Sequence, residues 1–399
     1  MDNYNFDNID YRIKFITDLL KGKKVSSMVN LNENDTEFFE NTKNEHNIKN
    51  VIEKKYFDFS KIMKEMSNSL EYINSGSSGM IFKSIYKNDK DLDNDICYSV
   101  KIVTYPIREN YGNINETSRP ENAELMMLRL LSYFVINKQT PHIVLPICTF
   151  NTSIEPFVDL AKNKKITTKK YAQFYKKYKQ NEYENEVSVL IAEWANGSDL
   201  LDFLRNNYKN LSLKEWKIIF FQILSVLAVI HKKYPNFRHN DLKANNILVQ
   251  KIDNRKKNNI FHYQFENHSF FVPNIGIQIK LWDFDFACIP GIVDNSKVNA
   301  EWTTNLNIKP IRNQYYDIHY FFNTLTRRSF LPDFWKEVNI SNQVKEFVNR
   351  VIPINLCSGN AVTERGRILD NIEHTTPLKL LLEDEFFDKL REKKIININ

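Results

Sequence analysis

Apolar residues recur at helical spacing from Tyr11 to Leu20, inside a mostly polar stretch from residue 1 to about 68 that carries runs such as Asn32-Glu33-Asn34-Asp35. That pattern predicts a partly helical extension. From Tyr72 the segments shorten, and Met80 to Tyr86 and Ile96 to Val103 are rich in β-branched and aromatic residues, which predicts strands of a small antiparallel sheet. Pro120 then opens a helix over Glu121 to Tyr133, at a position where its missing N–H costs nothing. Strand candidates Ile143 to Phe150 and Val187 to Glu193 follow, separated by a Lys-, Tyr-, Asn- and Glu-rich run, Lys162 to Glu186, that reads as an exposed insertion. After Asn196-Gly197-Ser198 the chain turns mainly helical, with Leu213 to Tyr234 as the longest buried helix, so a boundary falls near residue 196. Lys251 to Pro273 reads as an extended hairpin between strands Ile247 to Val249 and Ile277 to Leu281. The expected architecture is α+β: an extension over 1–68, a first lobe over 69–195 with an exposed insertion at about 160–186, and a second over 196–399 with a hairpin insertion at about 251–275. No internal repeat is visible.

Composition narrows the class. With 399 residues, 42% of them hydrophobic, the chain can bury a sizeable core in two lobes, which excludes disorder throughout. The 55 Lys+Arg against 49 Asp+Glu leave a net charge of +6, a mild bias that suits phosphate-bearing ligands, acidic proteins or anionic surfaces and marks no clear nucleic-acid site. Cys97, Cys148, Cys288 and Cys357 lie far apart with no paired spacing, so neither zinc nor a disulfide framework is indicated and a reducing compartment is the natural setting. Met1-Asp2-Asn3-Tyr4 has no basic-then-apolar leader pattern, and Asp2 excludes the glycine that myristoylation needs. Ile218 to Ile230, interrupted by Gln222 and Ser225, is too short to cross a bilayer and reads as part of a buried helix, so no transmembrane segment is expected. The excess of Asn, Ile and Lys reflects an AT-rich coding sequence more than mechanism.

The chemistry concentrates in Arg238-His239-Asn240-Asp241-Leu242-Lys243-Ala244-Asn245-Asn246 and in Asp283-Phe284-Asp285. Phosphoryl transfer needs a carboxylate at the nucleophile, metal ligands, a cation on the non-transferred phosphates and a flexible cover. Asp241 suits the first role, Lys243 can neutralise charge on the transferred group, and Asn246 with Asp283 offers the hard oxygen ligands that magnesium prefers. Upstream, Asn74-Ser75-Gly76-Ser77-Ser78-Gly79-Met80-Ile81 has glycines that let backbone approach phosphates, although such a run is also an ordinary turn. Lys101 lies in the apolar strand Ser99-Val100-Lys101-Ile102, where an unpaired ammonium is costly, so a carboxylate partner is expected. Glu124 is preferred; Glu121 is the rival, but an acidic residue in the first helical turn is explained by the helix dipole alone. In Ile191-Ala192-Glu193-Trp194-Ala195-Asn196-Gly197-Ser198-Asp199, the backbones of Glu193 and Ala195 can pair with adenine and Asp199 can reach a ribose hydroxyl. The plain alternative there is a strand followed by a helix capped by Ser198.

Singly, each of these residues is an ordinary turn or cap residue. As an ordered set over roughly residues 72 to 330, they resemble the eukaryotic protein-kinase superfamily. Asp283-Phe284-Asp285, Gly291-Ile292 and Tyr315 to Phe322 narrow the likeness to poxvirus-type virion-associated Ser/Thr kinases and related kinases of large DNA viruses. The resemblance implies a small antiparallel-sheet N-lobe with one main helix, a larger helical C-lobe, ATP with Mg2+ (or Mn2+ in its place), and transfer of the γ-phosphoryl group to Ser or Thr of protein substrates. It also implies the host cytoplasm, with packaging in the virion left open. Lys243 favours Ser/Thr over Tyr as acceptor.

Departures from the family pattern carry their own expectations. Asn240 stands where many kinases carry the arginine that holds a phosphorylated activation loop, so activity is not expected to need that modification. Asp285 replaces glycine and limits backbone freedom beside Asp283, and the usual Ala-Pro-Glu is absent, which puts peptide docking in doubt. Asp317 is expected to anchor the catalytic loop, and Ala192 to leave room for bulky adenine substituents. Two alternatives stay open: a small-molecule kinase of the choline or aminoglycoside type, and a binding-only pseudokinase. The physiological substrate and the oligomeric state are not legible.

Overall fold

The computed structural model describes residues 8–31, 45–67, 69–76, 79–86, 96–252 and 259–391. The chain forms two compact units, the first comprising Met1–Asn137, Val144–Trp194 and Gly291–Ala300 and the second Lys138–Ile143, Ala195–Pro290 and Glu301–Asn399.

In the first unit, α1 (Ile9–Leu20), α2 (Ile48–Ile52) and α3 (Phe59–Met66) are each capped by an Asn or Asp side chain that accepts a backbone N–H of the first turn. Strands β1 (Ser69–Ser75), β2 (Gly79–Tyr86) and β3 (Ile96–Pro106) lead into α4 (Pro120–Ile136), with proline at its start, and then β4 (Pro146–Ser153). Next come α5 (Glu155–Lys162), α6 (Lys169–Lys179) and β5 (Tyr183–Glu193), and the five antiparallel strands lie in the order β1-β2-β3-β5-β4. Alternation is lost on the central strands, where Val187 and Val189–Ala192 are almost wholly buried, because α4 and α1 occupy one side while aromatic side chains such as Phe82 and Phe157 pack together.

Two features add to the expected sheet and main helix. First, the N-terminal stretch is built in: Phe57 N donates to Asn151 O at 2.9 Å and Asn151 N to Lys55 O at 2.8 Å, so backbone from the stretch lines the exposed edge of β4. Second, the insertion, exposed over most of its length as expected, is anchored by Tyr171, which is fully buried with its hydroxyl donating to Phe157 O (2.9 Å) and its ring edge-on to Tyr72. The lysines hid an aromatic stripe at helical spacing.

The second unit is mainly helical. α7 (Leu200–Asn207) is followed by α8 (Leu213–Lys233), which opens with a reciprocal Ser212–Glu215 capping box and buries Trp216, Phe220 and Phe221. Strands β6 (Ile247–Lys251) and β9 (Ile277–Leu281) pair antiparallel, whereas β7 (Ile260–Phe265) and β8 (His268–Pro273) form a separate two-stranded sheet. The expected hairpin is therefore two nested ones. After the short α9 (Glu301–Thr304) come α10 (Gln314–Leu325), α11 (Asn342–Val351) and α12 (Pro377–Glu383). Phe347 stacks on Phe386 with centroids 4.4 Å apart and Phe220 meets Phe322 edge-on at 4.9 Å, which locks α8, α10 and α11 into one aromatic core. Residues 138–143 belong here because the buried His142 ring hydrogen-bonds Ile279 O (2.9 Å) and Tyr263 Oη (2.8 Å).

Candidate active site

In the second unit the loop after α8 is held from beneath by Asp317, in the first turn of α10. His239 N and Asn240 N donate to its two carboxylate oxygens at 2.7 and 2.9 Å. Burial pushes the Asp317 carboxyl upward, opposed by the charges of His239 and Arg238 and by those two backbone donors. Asn240 adopts a left-handed φ of 63°, which asparagine tolerates and which turns the next residue outward. Its amide donates to Phe286 O at 2.9 Å, so the neutral replacement for arginine is used in tying two loops together.

Asp241 is the meeting point. Its Oδ2 accepts from Lys243 Nζ at 2.8 Å and from Asn246 Nδ2 at 3.0 Å, and that same amide also reaches Asp241 O at 2.9 Å. With Nδ2 committed, Oδ1 is the Asn246 atom suited to a cation. The β6–β9 register pairs Ile247 with Leu281, and Trp282 N donates to Asn246 O at 3.3 Å, so Asn246 and Asp283 stand at the same end of the strand pair. Asp283 has a φ of 61°, a conformation aspartate takes at a local cost that neighbouring Phe284, fully buried against His239, helps to hold. Among the described residues no group of three or more His, Cys, Asp or Glu gathers into a metal cage. A carboxylate plus an amide oxygen fits magnesium, which keeps waters and takes substrate phosphates as further ligands.

The first unit supplies a second constellation. Lys101, paired in register with Ile81 and Leu190, points its Nζ at Glu124 Oε1, 2.6 Å away, and both side chains are about 95% or more buried. Glu121 is engaged by Arg119 Nε at 2.9 Å, so the choice between the two carboxylates falls on Glu124. Where β1 turns into β2, Asn74 pairs with Ile81 and Ser75 with Met80, and Gly76 N donates to Gly79 O at 2.8 Å. Ser77 and Ser78 lie outside the described residues. A Cβ on Gly79 would stand 2.5 Å from Ile102 O, so that glycine is demanded by the neighbouring strand. A Cβ on Gly76 would meet only Gly79 O, at an ordinary 3.9 Å, so at this exposed position the lack of a side chain serves to leave backbone accessible.

A protein of Acanthamoeba polyphaga mimivirus named as a serine/threonine-protein kinase is 43% identical over 387 residues, which are 95% of this chain and 80% of that protein. The chain belongs to the protein-kinase family. The family description "Protein kinase domain" matches residues 158–305, a span that includes Asp241, Asn246 and Asp283. A second mimivirus protein with such a name is 25% identical over 54% of this chain and 60% of its own length. Serine/threonine-protein kinase 2 of variola virus is 30% identical over 44% of this chain and 38% of that protein.

As a serine/threonine protein kinase the chain holds five of the sequence-predicted site residues in two hydrogen-bonded groups, Asp241, Lys243 and Asn246 in one and Lys101 with Glu124 in the other. Glu193 and Asp199 show more than the sequence suggested. The Glu193 carboxylate is fully buried, accepting from Arg12 Nε (2.7 Å), Arg12 Nη2 (2.8 Å) and Leu145 N (2.9 Å), while its carbonyl accepts from Ser99 Oγ at 3.3 Å. In the second unit, Ala195 is buried and Gly197 N donates to Val249 O at 2.8 Å. The cap of α7 is Asp199, which accepts Asp202 N at 2.8 Å, where the plain alternative named Ser198; Ser198 instead sits at φ 69°, outside the cap geometry. Burial raises the Asp199 pKa, and the Asp202 backbone bond opposes the rise.

Two residues that bond the candidate site side chains escaped sequence reasoning. Arg12 lies in the N-terminal helix, and Arg367 in the late Thr363-Glu364-Arg365-Gly366-Arg367 stretch donates Nη2 to Asp241 Oδ1. A glycine between two arginines signals a turn, and nothing local says what the second arginine meets.

Proposed function

We propose that this kinase transfers the γ-phosphoryl group of ATP, with magnesium, to serine or threonine hydroxyls of protein substrates. The observation that carries this reading is the Asp241 carboxylate, fixed by Lys243 and by Asn246, which stands with Asp283 at one end of the β6–β9 pair. Asp241 orients the acceptor hydroxyl and takes its proton as the oxygen–phosphorus bond forms and the bond to the ADP oxygen breaks; Lys243 offsets charge on the phosphoryl oxygens. Asn246 and Asp283 would hold magnesium, which supplies charge neutralisation on the phosphates when bound. In the first unit, Lys101, kept in place by Glu124, serves the non-transferred phosphates, with the residues around Gly76 and Gly79 as their cover, and Glu193 offers backbone to adenine; in the second unit Ala195 offers backbone to adenine and Asp199 a carboxylate to ribose.

We propose the host cytoplasm as the setting of this activity. No helix among the described residues is long and apolar enough to cross a membrane. The test offers labelled ATP and magnesium with generic proteins, choline and aminoglycosides in parallel. Label on protein serine or threonine supports the reading. Label only on a small molecule, or nucleotide binding without transfer, overturns it.

A further inference from the structure

Arg367 is presented by a tight turn late in the second unit. Val362 bridges Ile368, Gly366 N donates to Thr363 O at 2.8 Å, and Thr363 also accepts Arg367 N on its hydroxyl at 3.0 Å. The turn is pinned to α10 and the residues after it: Asn323 Nδ2 donates to Gly366 O at 2.9 Å and Arg327 Nη1 to Glu364 O at 2.7 Å. Gly366 has φ +90°, and a Cβ there would come 2.8 Å from the Arg327 guanidinium carbon, so two separate constraints select glycine.

What the turn delivers is a guanidinium only 2% exposed, stacked 4.2 Å from the centre of the Tyr320 ring. Its Nε donates to Asn240 O at 3.1 Å and its Nη2 to Asp241 Oδ1. The two oxygens of Asp241 are thereby divided, Oδ1 to Arg367 and Oδ2 to Lys243 and Asn246. Lys243 is on the same loop and a quarter exposed, so it moves with Asp241. Arg367 comes from 126 residues away on a pinned turn and grips both the loop backbone and the carboxylate, a two-point fork that an ammonium cannot reproduce.

We propose that Arg367 is a positioning residue for phosphoryl transfer, fixing the rotation of the Asp241 carboxylate through paired bonds to Asn240 O and Asp241 Oδ1. The inference rests on the role given to Asp241. It is tested in the full chain with Arg367→Ala, Arg367→Lys, Asp241→Asn and the double variant Asp241→Asn/Arg367→Ala, measuring kcat and KM for ATP and for a protein substrate. Misplacing a reacting group by about 1 Å costs roughly 10²-fold. Arg367→Ala should therefore lower kcat by about that factor with KM for ATP within about twofold, and added guanidinium ion should restore at least about tenfold. Arg367→Lys should fall between. In the Asp241→Asn background, removing Arg367 should have little further effect, as expected of groups acting as a unit.

A kcat within about threefold of wild type in Arg367→Ala, an unchanged kcat after guanidinium addition, or additive losses in the double variant would each overturn the proposal. If Arg367→Ala fails to fold, Arg367→Lys decides: a reduced kcat at unchanged KM for ATP supports the fork, and wild-type kcat overturns it. Full activity in Asp241→Asn would instead defeat the reading of Asp241 itself.

Discussion

Replacing Arg12 by methionine removes a guanidinium that is fully buried and makes two hydrogen bonds, at 2.7 and 2.8 Å, to a Glu193 carboxylate that is itself only 1% exposed. The carboxylate stays behind, with Leu145 N still donating to it at 2.9 Å but without the guanidinium. Breaking a buried pair from one side typically costs about 3–5 kcal/mol, because the remaining charge is left uncompensated. Two charge-assisted bonds at roughly 1.5–3 kcal/mol each give about 3–6 kcal/mol, which overlaps that range. We therefore expect Arg12→Met to destabilise the first unit by about 3–5 kcal/mol, and the double variant with Glu193→Gln to lose clearly less than the sum of the two single changes. The assay is urea unfolding of all four proteins, with hydrogen exchange read on peptides of β3 and β5 to assign the loss to this unit. Because Glu193 O, which accepts from Ser99, is the group proposed for adenine, KM for ATP should also rise more than kcat falls. A destabilisation under about 1 kcal/mol, or strict additivity in the cycle, would refute the view that the N-terminal helix is clamped into the sheet by this pair.

Glu124→Gln removes the carboxylate 2.6 Å from Lys101 and should cost at least about tenfold in kcat/KM for ATP, from a loss of some 1.4 kcal/mol or more, read by steady-state kinetics; an unchanged value would detach the pair from nucleotide use. Burial lowers the Lys54 pKa to about 7, with Glu121 and Glu186 opposing, even though its ammonium meets Tyr105 Oη, Asn122 Oδ1 and Ser188 Oγ. Between pH 7 and the ordinary lysine range the unfolded chain holds a proton that the folded chain has released, so this group makes stability rise with pH there and contributes no slope below. Urea unfolding at pH 7 and pH 9 should show a gain on the order of 2 kcal/mol that Lys54→Met loses, and equal gains in both proteins would contradict the assignment. Ala192 is fully buried at the end of β5, so wild type should use ATP analogues with bulky adenine substituents that Ala192→Met rejects; equal rejection by both removes the idea.

The residues that could be read in advance are those whose chemistry is locally inconsistent. A lysine inside an apolar strand announces an absent partner, and a helix one connection later offers two carboxylates; only the position of Arg119, which takes Glu121, decides between them. Asp317 likewise met its expectation by capping the backbone of the loop that carries Asp241. What stayed hidden depends on distance along the chain. Arg12 reaches Glu193 across 181 residues and Arg367 reaches Asp241 across 126, and in each case the arginine looks like any surface cation until the fold removes it from water. The lysine-rich insertion is exposed as its charges indicate, and what those charges masked is its anchoring by the buried Tyr171 and Phe174. The Ser198 cap was misplaced by one residue because serine and aspartate stand side by side and both are good caps; the observed backbone puts aspartate in the extended conformation a cap needs.

The measurement that bears most directly on the central claim is phosphoamino-acid analysis of a protein substrate incubated with labelled ATP and magnesium, using wild type and Asp241→Asn at equal folded concentration. Wild type should yield phosphoserine or phosphothreonine, and Asp241→Asn should lose at least about a hundredfold of that rate, the upper part of what a general base contributes, while still binding nucleotide. Phosphoryl transfer at wild-type rate by Asp241→Asn would contradict the account.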